Sequence, residues 1–278
     1  MTSADQEGWN ARKQFLHRPD GRKIAFVDNA VDAPALLLVH GYTDSSRSWS
    51  LIEPLLPGLR LVMPDLPGHG QSPPSTPPSL QGFADDLAAL MASLGIGRYA
   101  VAGHSMGAMT AIALAGRDTC AVEAVVSLSG SLRPDLADGG ALARAIGGLR
   151  DPIDAATDLP RDWHHCSRPV DADFLRHIAR EAAAMPAEVW RSLFAMLQST
   201  DLSAASQAVR APVLLLGGTD DALFDDAHRA ALAAAFPAAD SHVLDGRGHN
   251  PHWESPAAIA GLMLRFLVAG GCVPPNAG

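Results

Sequence analysis

The chain has 278 residues, of which 47% are apolar and 18% charged, and its formal net charge is −9. That is enough apolar content for one large domain with a packed core, which excludes general disorder. An acidic balance with no basic cluster excludes a nucleic-acid-binding surface.

The first fifteen residues (MTSADQEGWNARKQF) are polar and lack the apolar core of an export signal, so a cytoplasmic location is expected. Short apolar, β-rich runs follow at 23–27, 35–39 and 59–63. A proline-rich stretch at 72–79 is too short to separate domains. Residues 80–94 place Leu80, Phe83, Leu87, Leu90, Met91 and Leu94 at helical spacing, with Gly95 as a stop. Further strand-like runs stand at 99–102, 122–128, 213–216 and 242–244, and helical patterns at 105–116, 225–235 and 254–268. Continuous apolar strands alternating with helices predict an α/β fold with a doubly wound, mostly parallel sheet. Residues 131–208 break the alternation with helical patches at 139–149, 171–184 and 187–198. The expected organisation is therefore a core of 1–130 and 209–278, with 131–208 as a helical lid inserted into it.

No apolar run reaches the roughly 18 residues that a membrane span needs, so no membrane partner is expected. Cys120, Cys166 and Cys272 are far apart and form no CxxC pair, which argues against a disulfide framework or a zinc knuckle.

One pattern carries chemistry. Gly103-His104-Ser105-Met106-Gly107 fits G-x-S-x-G, between an apolar strand and an apolar helix. A serine on so tight a turn needs small neighbours, and the helix behind it favours negative charge nearby. Serine is a weak nucleophile without a base. His249 lies in a glycine-rich loop after the final strand, where sheets of this kind place their sites. The base needs a carboxylate, and the loop after 213–216 offers both Asp220 and Asp221. For the oxyanion of acyl transfer, the Met106 N–H is one donor, and a second is expected from the loop beginning at His40.

With 40–42 (His-Gly-Tyr), 65–70 (Asp-Leu-Pro-Gly-His-Gly), the Ser105 turn, the aspartate pair and Gly248-His249, the sequence resembles the α/β-hydrolase superfamily over roughly 22–268. The resemblance is to its lid-bearing serine hydrolases and implies a lid inserted after strand 6 of that fold. It implies the triad Ser105, Asp221 and His249, because the acid usually follows the strand-ending glycine, here Gly218, by three residues. It implies the Tyr42 N–H as the second oxyanion donor. His104 is expected to pack or contact substrate, and Trp163 and Trp253 to contact substrate or fill the core. The 163–166 stretch (Trp-His-His-Cys) lacks ligand spacing, so no metal and no cofactor are expected. Serine at the turn argues against relatives of this fold that use aspartate there.

The expected activity is cleavage of a small to medium apolar carboxylic ester or lactone through an acyl-enzyme, by a monomer or homodimer. A carbon–carbon bond hydrolase is the alternative. It calls for a cation in the lid, and Arg168, Arg176, Arg180 and Arg191 are available. A ligand-binding protein that keeps the triad is the remaining reading.

Overall fold

The computed structural model describes residues 5–156, 159 and 163–274. The ends of the expected core (1–4 and 275–278) and parts of the expected lid (157–158 and 160–162) lie outside the described residues.

Apolar runs that continue without a polar alternate must be covered on both faces. Here they become the middle of an eight-stranded sheet ordered β1-β2-β4-β3-β5-β6-β7-β8. The strands are β1 (Gln14–His17), β2 (Lys23–Asp28), β3 (Ala35–Val39), β4 (Arg60–Pro64), β5 (Tyr99–His104), β6 (Val122–Leu128), β7 (Val213–Gly218) and β8 (Asp240–Leu244). β1 pairs antiparallel with β2, and β2 antiparallel with β4. Every pairing from β4 to β8 is parallel. The expected strands are present with ends shifted by a few residues. β1, mostly exposed, is an addition that its sequence did not announce.

Successive side chains of a strand point to opposite faces. Leu37, Val39 and Val101 accordingly join one core with α1 (Leu80–Ser93) and α2 (Met106–Arg117). Leu36, Leu38, Ala100 and Ala102 join the other, with Trp9, Trp49 and the C-terminal helix. Ser79 caps α1 by accepting the Gly82 N–H at 3.0 Å, as a helix N-cap should.

Between β6 and β7 come α3 (Ala141–Gly148), α4 (Ala172–Ala184), α5 (Ala187–Gln198) and α6 (Ser203–Ala208), and no described residue there is in a strand. This segment is fastened to the loop after β3. The Tyr42 hydroxyl donates to the Trp190 carbonyl at 2.7 Å, and the Trp163 indole N–H to Thr43 Oγ1 at 2.8 Å. The buried Arg47 guanidinium meets Glu181 of α4 at 2.7 Å. After β7 come α7 (Asp226–Ala235), then β8, α8 (Pro251–Glu254) and α9 (Pro256–Ala269). The single helix expected over 254–268 is broken at Ser255, since a residue before proline is driven out of the helical region.

The 65–70 turn is built on a buried charge. The Asp65 carboxylate is fully buried and accepts from Lys13 Nζ at 2.7 Å, the Gln71 N–H at 2.8 Å and the Ser46 N–H at 2.9 Å. Burial alone would raise its pKa. The Lys13 charge and the donated hydrogen bonds outweigh that and hold it below the ordinary carboxylate range. Lys13→Met leaves that carboxylate without its cation and is expected to cost about 3–5 kcal/mol in urea unfolding at neutral pH. With Lys13 present, the depressed pKa contributes stability above about pH 4, the unfolded value, and that stability fades as pH falls through the folded value. Without Lys13, burial raises the carboxyl instead, and the penalty is relieved in acid. The difference between wild type and variant therefore shrinks toward low pH; a gap that widened in acid would contradict this account.

Candidate active site

Ser105 occupies the step between β5 and α2, with φ 53° and ψ −117°. A non-glycine residue in that region carries strain of order 1–3 kcal/mol, held by its surroundings. The Ser105 N–H is fixed by the Leu128 carbonyl at 2.9 Å. Its neighbours are small out of necessity. A Cβ on Gly103 would lie 2.1 Å from the Gly107 carbonyl oxygen, and one on Gly107 would lie 2.2 Å from the Val39 carbonyl oxygen. Both obstacles are backbone and cannot rotate away. Gly107→Ala should therefore destabilise the fold by about 3 kcal/mol or more, measured by thermal or urea unfolding. A variant as stable as wild type would show that the contact relaxes freely.

His249 arrives in the loop between β8 and α8. Its Nε2 lies 2.9 Å from Ser105 Oγ, and its Nδ1 lies 2.9 Å from Asp221 Oδ2. Two further contacts fix the loop. The Gly248 N–H donates to Glu254 Oε2 at 3.0 Å, and His104 Nε2 donates to the His249 carbonyl at 2.8 Å. The His249 loop is thus held to the residue preceding Ser105 by a bond separate from the contacts to Ser105 and Asp221.

Asp221, in the loop after β7, is 6% exposed. Its Oδ1 accepts the Leu223 N–H at 2.9 Å and the Phe224 N–H at 3.0 Å. Burial pushes this carboxyl up, but the His249 hydrogen bond and charge and the two amides outweigh it, leaving it below the ordinary value. Asp220 points elsewhere. It is exposed, and its Oδ1 accepts from Thr219 Oγ1 at 2.9 Å. Of the two adjacent aspartates, Asp221, the one the resemblance implied, meets the imidazole.

Met106 is the first residue of α2, so no earlier turn of helix supplies a carbonyl for its N–H. Tyr42 follows β3, in a loop that His40 shapes. The His40 Nδ1–H donates to the Gly41 carbonyl at 2.8 Å, and Nε2 accepts the Leu66 N–H at 2.9 Å. Burial lowers the His40 pKa and keeps the ring neutral, which this pattern requires.

Ser105 and His249 open into a pocket. Tyr42, Asp44 and His104 line it from the core, and Leu136, Trp163, His164, Phe194 and Leu197 from the segment between β6 and β7. Of the expected contact residues, Trp163 and His104 line this pocket. Trp253 does not: it is 2% exposed, its indole N–H donates to the Ser48 carbonyl at 3.0 Å, and Phe174 packs on its ring. None of Arg168, Arg176, Arg180 and Arg191 lines the pocket, nor does any other arginine or lysine among the described residues. Arg168 donates to the Gly246 carbonyl at 3.0 Å, and Arg191 to the Leu149 carbonyl at 3.1 Å. Asp44 and His164 were not marked by the sequence as site residues. A single loop aspartate carries no pattern, and His164 was marked only as part of the 163–166 stretch, read as shaping the pocket and not as a metal site.

The sequence model of the Alpha/beta hydrolase family matches residues 36–262. The chain is 31% identical over 259 residues to the pimeloyl-[acyl-carrier protein] methyl ester esterase of Aromatoleum aromaticum, covering 86% of this chain and 100% of that one. It is 30% identical over 262 residues to the 2-succinyl-6-hydroxy-2,4-cyclohexadiene-1-carboxylate synthase of Klebsiella pneumoniae, covering 88% and 98%. The enol-lactonase structure from Burkholderia xenovorans superposes with a TM-score of 0.78 at 23% identity, covering 92% of this chain and all of that one.

Proposed function

From the premise that the chain belongs to the alpha/beta hydrolase family and is a hydrolase, we propose that it cleaves a carboxylic ester or lactone through an acyl-enzyme on Ser105. The observation that carries this reading is the unbroken hydrogen-bonded line from Ser105 through His249 to Asp221, opening into a mostly apolar pocket.

In this reading Ser105 Oγ attacks the ester carbonyl while His249 Nε2 takes its proton. Asp221 holds the ring so that Nδ1 carries the other proton, and it stabilises the imidazolium that forms. The amides of Met106 and Tyr42 receive the oxyanion, adding donors where charge develops. His249 then protonates the departing alcohol. Water, deprotonated by the same nitrogen, releases the acid and restores Ser105. Residues 131–208 act as the cap that closes the pocket and selects the substrate. The apolar side chains of Leu136, Trp163, Phe194 and Leu197 on the site support that role.

A carbon–carbon hydrolase working on anionic ring-cleavage products needs a cation to receive the carboxylate. The absence of arginine and lysine from the described lining favours the ester. A fluorophosphonate probe is expected to label Ser105, and short p-nitrophenyl esters are expected to turn over. Rapid loss of a ring-cleavage dienoate beside negligible ester turnover would reverse the choice. Folded protein that neither labels nor hydrolyses would leave a binding role.

A further inference from the structure

The line from Ser105 to Asp221 leaves one buried carboxylate of the pocket unused. Asp44 is 3% exposed and lies on the pocket wall with Ser105. A buried carboxylate ordinarily accepts several close hydrogen bonds. Asp44 has one long one, from Ser48 Oγ at 3.4 Å. Two imidazoles flank it without bonding to it. His104 Nδ1 lies 3.7 Å from Oδ2, and His164 Nε2 lies 3.4 Å from Oδ1. Neither of these ring nitrogens has a hydrogen-bond partner among the described residues.

His104 Nε2 carries a hydrogen, because it donates to the His249 carbonyl. Burial lowers the His104 pKa, with the nearby Asp44 opposing the shift. Asp44 itself stays ionised: burial opposes this, and the neighbouring histidines outweigh it. The Asp44 carboxylate is therefore left with spare acceptor capacity on the pocket wall. Gly41 has no room for a side chain there, since a Cβ would sit 2.8 Å from His104 Nδ1 and 3.0 Å from Asp44 Oδ2. Nor is His252 free to supply the proton, since its Nε2 is engaged by Ser48 Oγ at 3.0 Å.

We propose that Asp44, His104 and His164 form a polar subsite that receives a hydrogen-bond donor of the substrate, a hydroxyl or a protonated amine close to the scissile carbonyl. The inference rests on the ester-hydrolase reading and narrows it. The substrate is an ester or lactone that is apolar except for one donor group, and an anionic group at that place is rejected by the Asp44 charge. His104 serves two ends of the site: one nitrogen holds the His249 loop and the other faces the substrate.

The experiment compares isosteres in which a hydroxyl replaces a methyl on either side of the scissile bond. Ethyl 3-hydroxybutanoate is set against ethyl 3-methylbutanoate, and 2-hydroxyethyl butanoate against propyl butanoate. The 2-(dimethylamino)ethyl ester of butanoate provides the cationic arm. The wild-type protein should prefer a donor-bearing ester by roughly 10- to 100-fold in kcat/KM on at least one side, the usual worth of a hydrogen bond to a charged group. Asp44→Asn and Asp44→Ala should bring that ratio close to one. Fluorophosphonate labelling of wild-type Ser105 separates the two claims. Labelled, ester-cleaving protein with ratios near one throughout overturns the subsite and leaves the hydrolase standing. No labelling and no turnover overturns the hydrolase reading, and the subsite with it. A preference that survives in folded Asp44→Ala also overturns the subsite. Should neither variant fold, the wild-type ratios decide alone.

Discussion

Replacement of Ser105 by alanine is expected to lower kcat/KM for a p-nitrophenyl ester by about 10⁴-fold or more while the protein stays folded. The substitution removes one oxygen and changes little else. The strained backbone at φ 53° is set by the Leu128 carbonyl and by the glycines at 103 and 107, and none of these depends on the hydroxyl. Alanine can sit where serine sat, so circular dichroism and the melting temperature should follow wild type closely. What disappears is the atom 2.9 Å from His249 Nε2. Fluorophosphonate labelling should disappear with it. Retention of even a few per cent of wild-type turnover in contaminant-free Ser105→Ala would move the nucleophile elsewhere.

The second large effect distinguishes two adjacent carboxylates. Asp221→Asn should reduce kcat by roughly 10³- to 10⁴-fold, whereas Asp220→Asn should stay within about threefold of wild type. The reason lies in what already binds Oδ1. The Leu223 and Phe224 amides donate to it at 2.9 and 3.0 Å, so an asparagine places its oxygen there and its NH₂ toward His249. The imidazole must then accept at Nδ1 and carry its proton on Nε2. An Nε2–H cannot take the proton of Ser105. Asp220 has no such leverage, being exposed and bonded to Thr219. Steady-state kinetics of the two variants, prepared side by side, settles the assignment. Equal losses would refute it.

Much of this site was legible in the sequence because its constraints are local. Gly103 and Gly107 are glycines because backbone fills the space where their side chains would go, and that requirement leaves its mark within five residues. The parallel strands were legible because burial on both faces leaves no polar alternate. What stayed hidden depends on packing across the chain. β1 reads Gln-Phe-Leu-His and is mostly exposed, so neither period nor composition distinguishes it from a loop. Trp253 read equally well as pocket or core, and its fate was decided by Ser48, 205 residues away. Asp44 is the clearest case. A loop aspartate looks the same whether water or protein surrounds it, and its burial is made by His104, His164 and Ser48. The choice between Asp220 and Asp221 lay between the two extremes. The loop gave both, the spacing from Gly218 pointed to Asp221 only through the family resemblance, and it is Asp221 that lies beside His249.

The far end of the sheet bears on how the molecule comes into being. The last helix, α9, places Ile259, Met263 and Leu267 in the same core as Trp9, Trp49 and the inner faces of β3 and β5. During synthesis that apolar wall stands uncovered until residue 269 has left the ribosome. His249 too reaches Ser105 across 144 residues of chain. A nascent chain stalled before His249 therefore displays that apolar face and lacks the ring that meets Ser105. Completion of the core and assembly of the line from Ser105 to Asp221 become one late event, and it is the unfinished chain that most needs a chaperone.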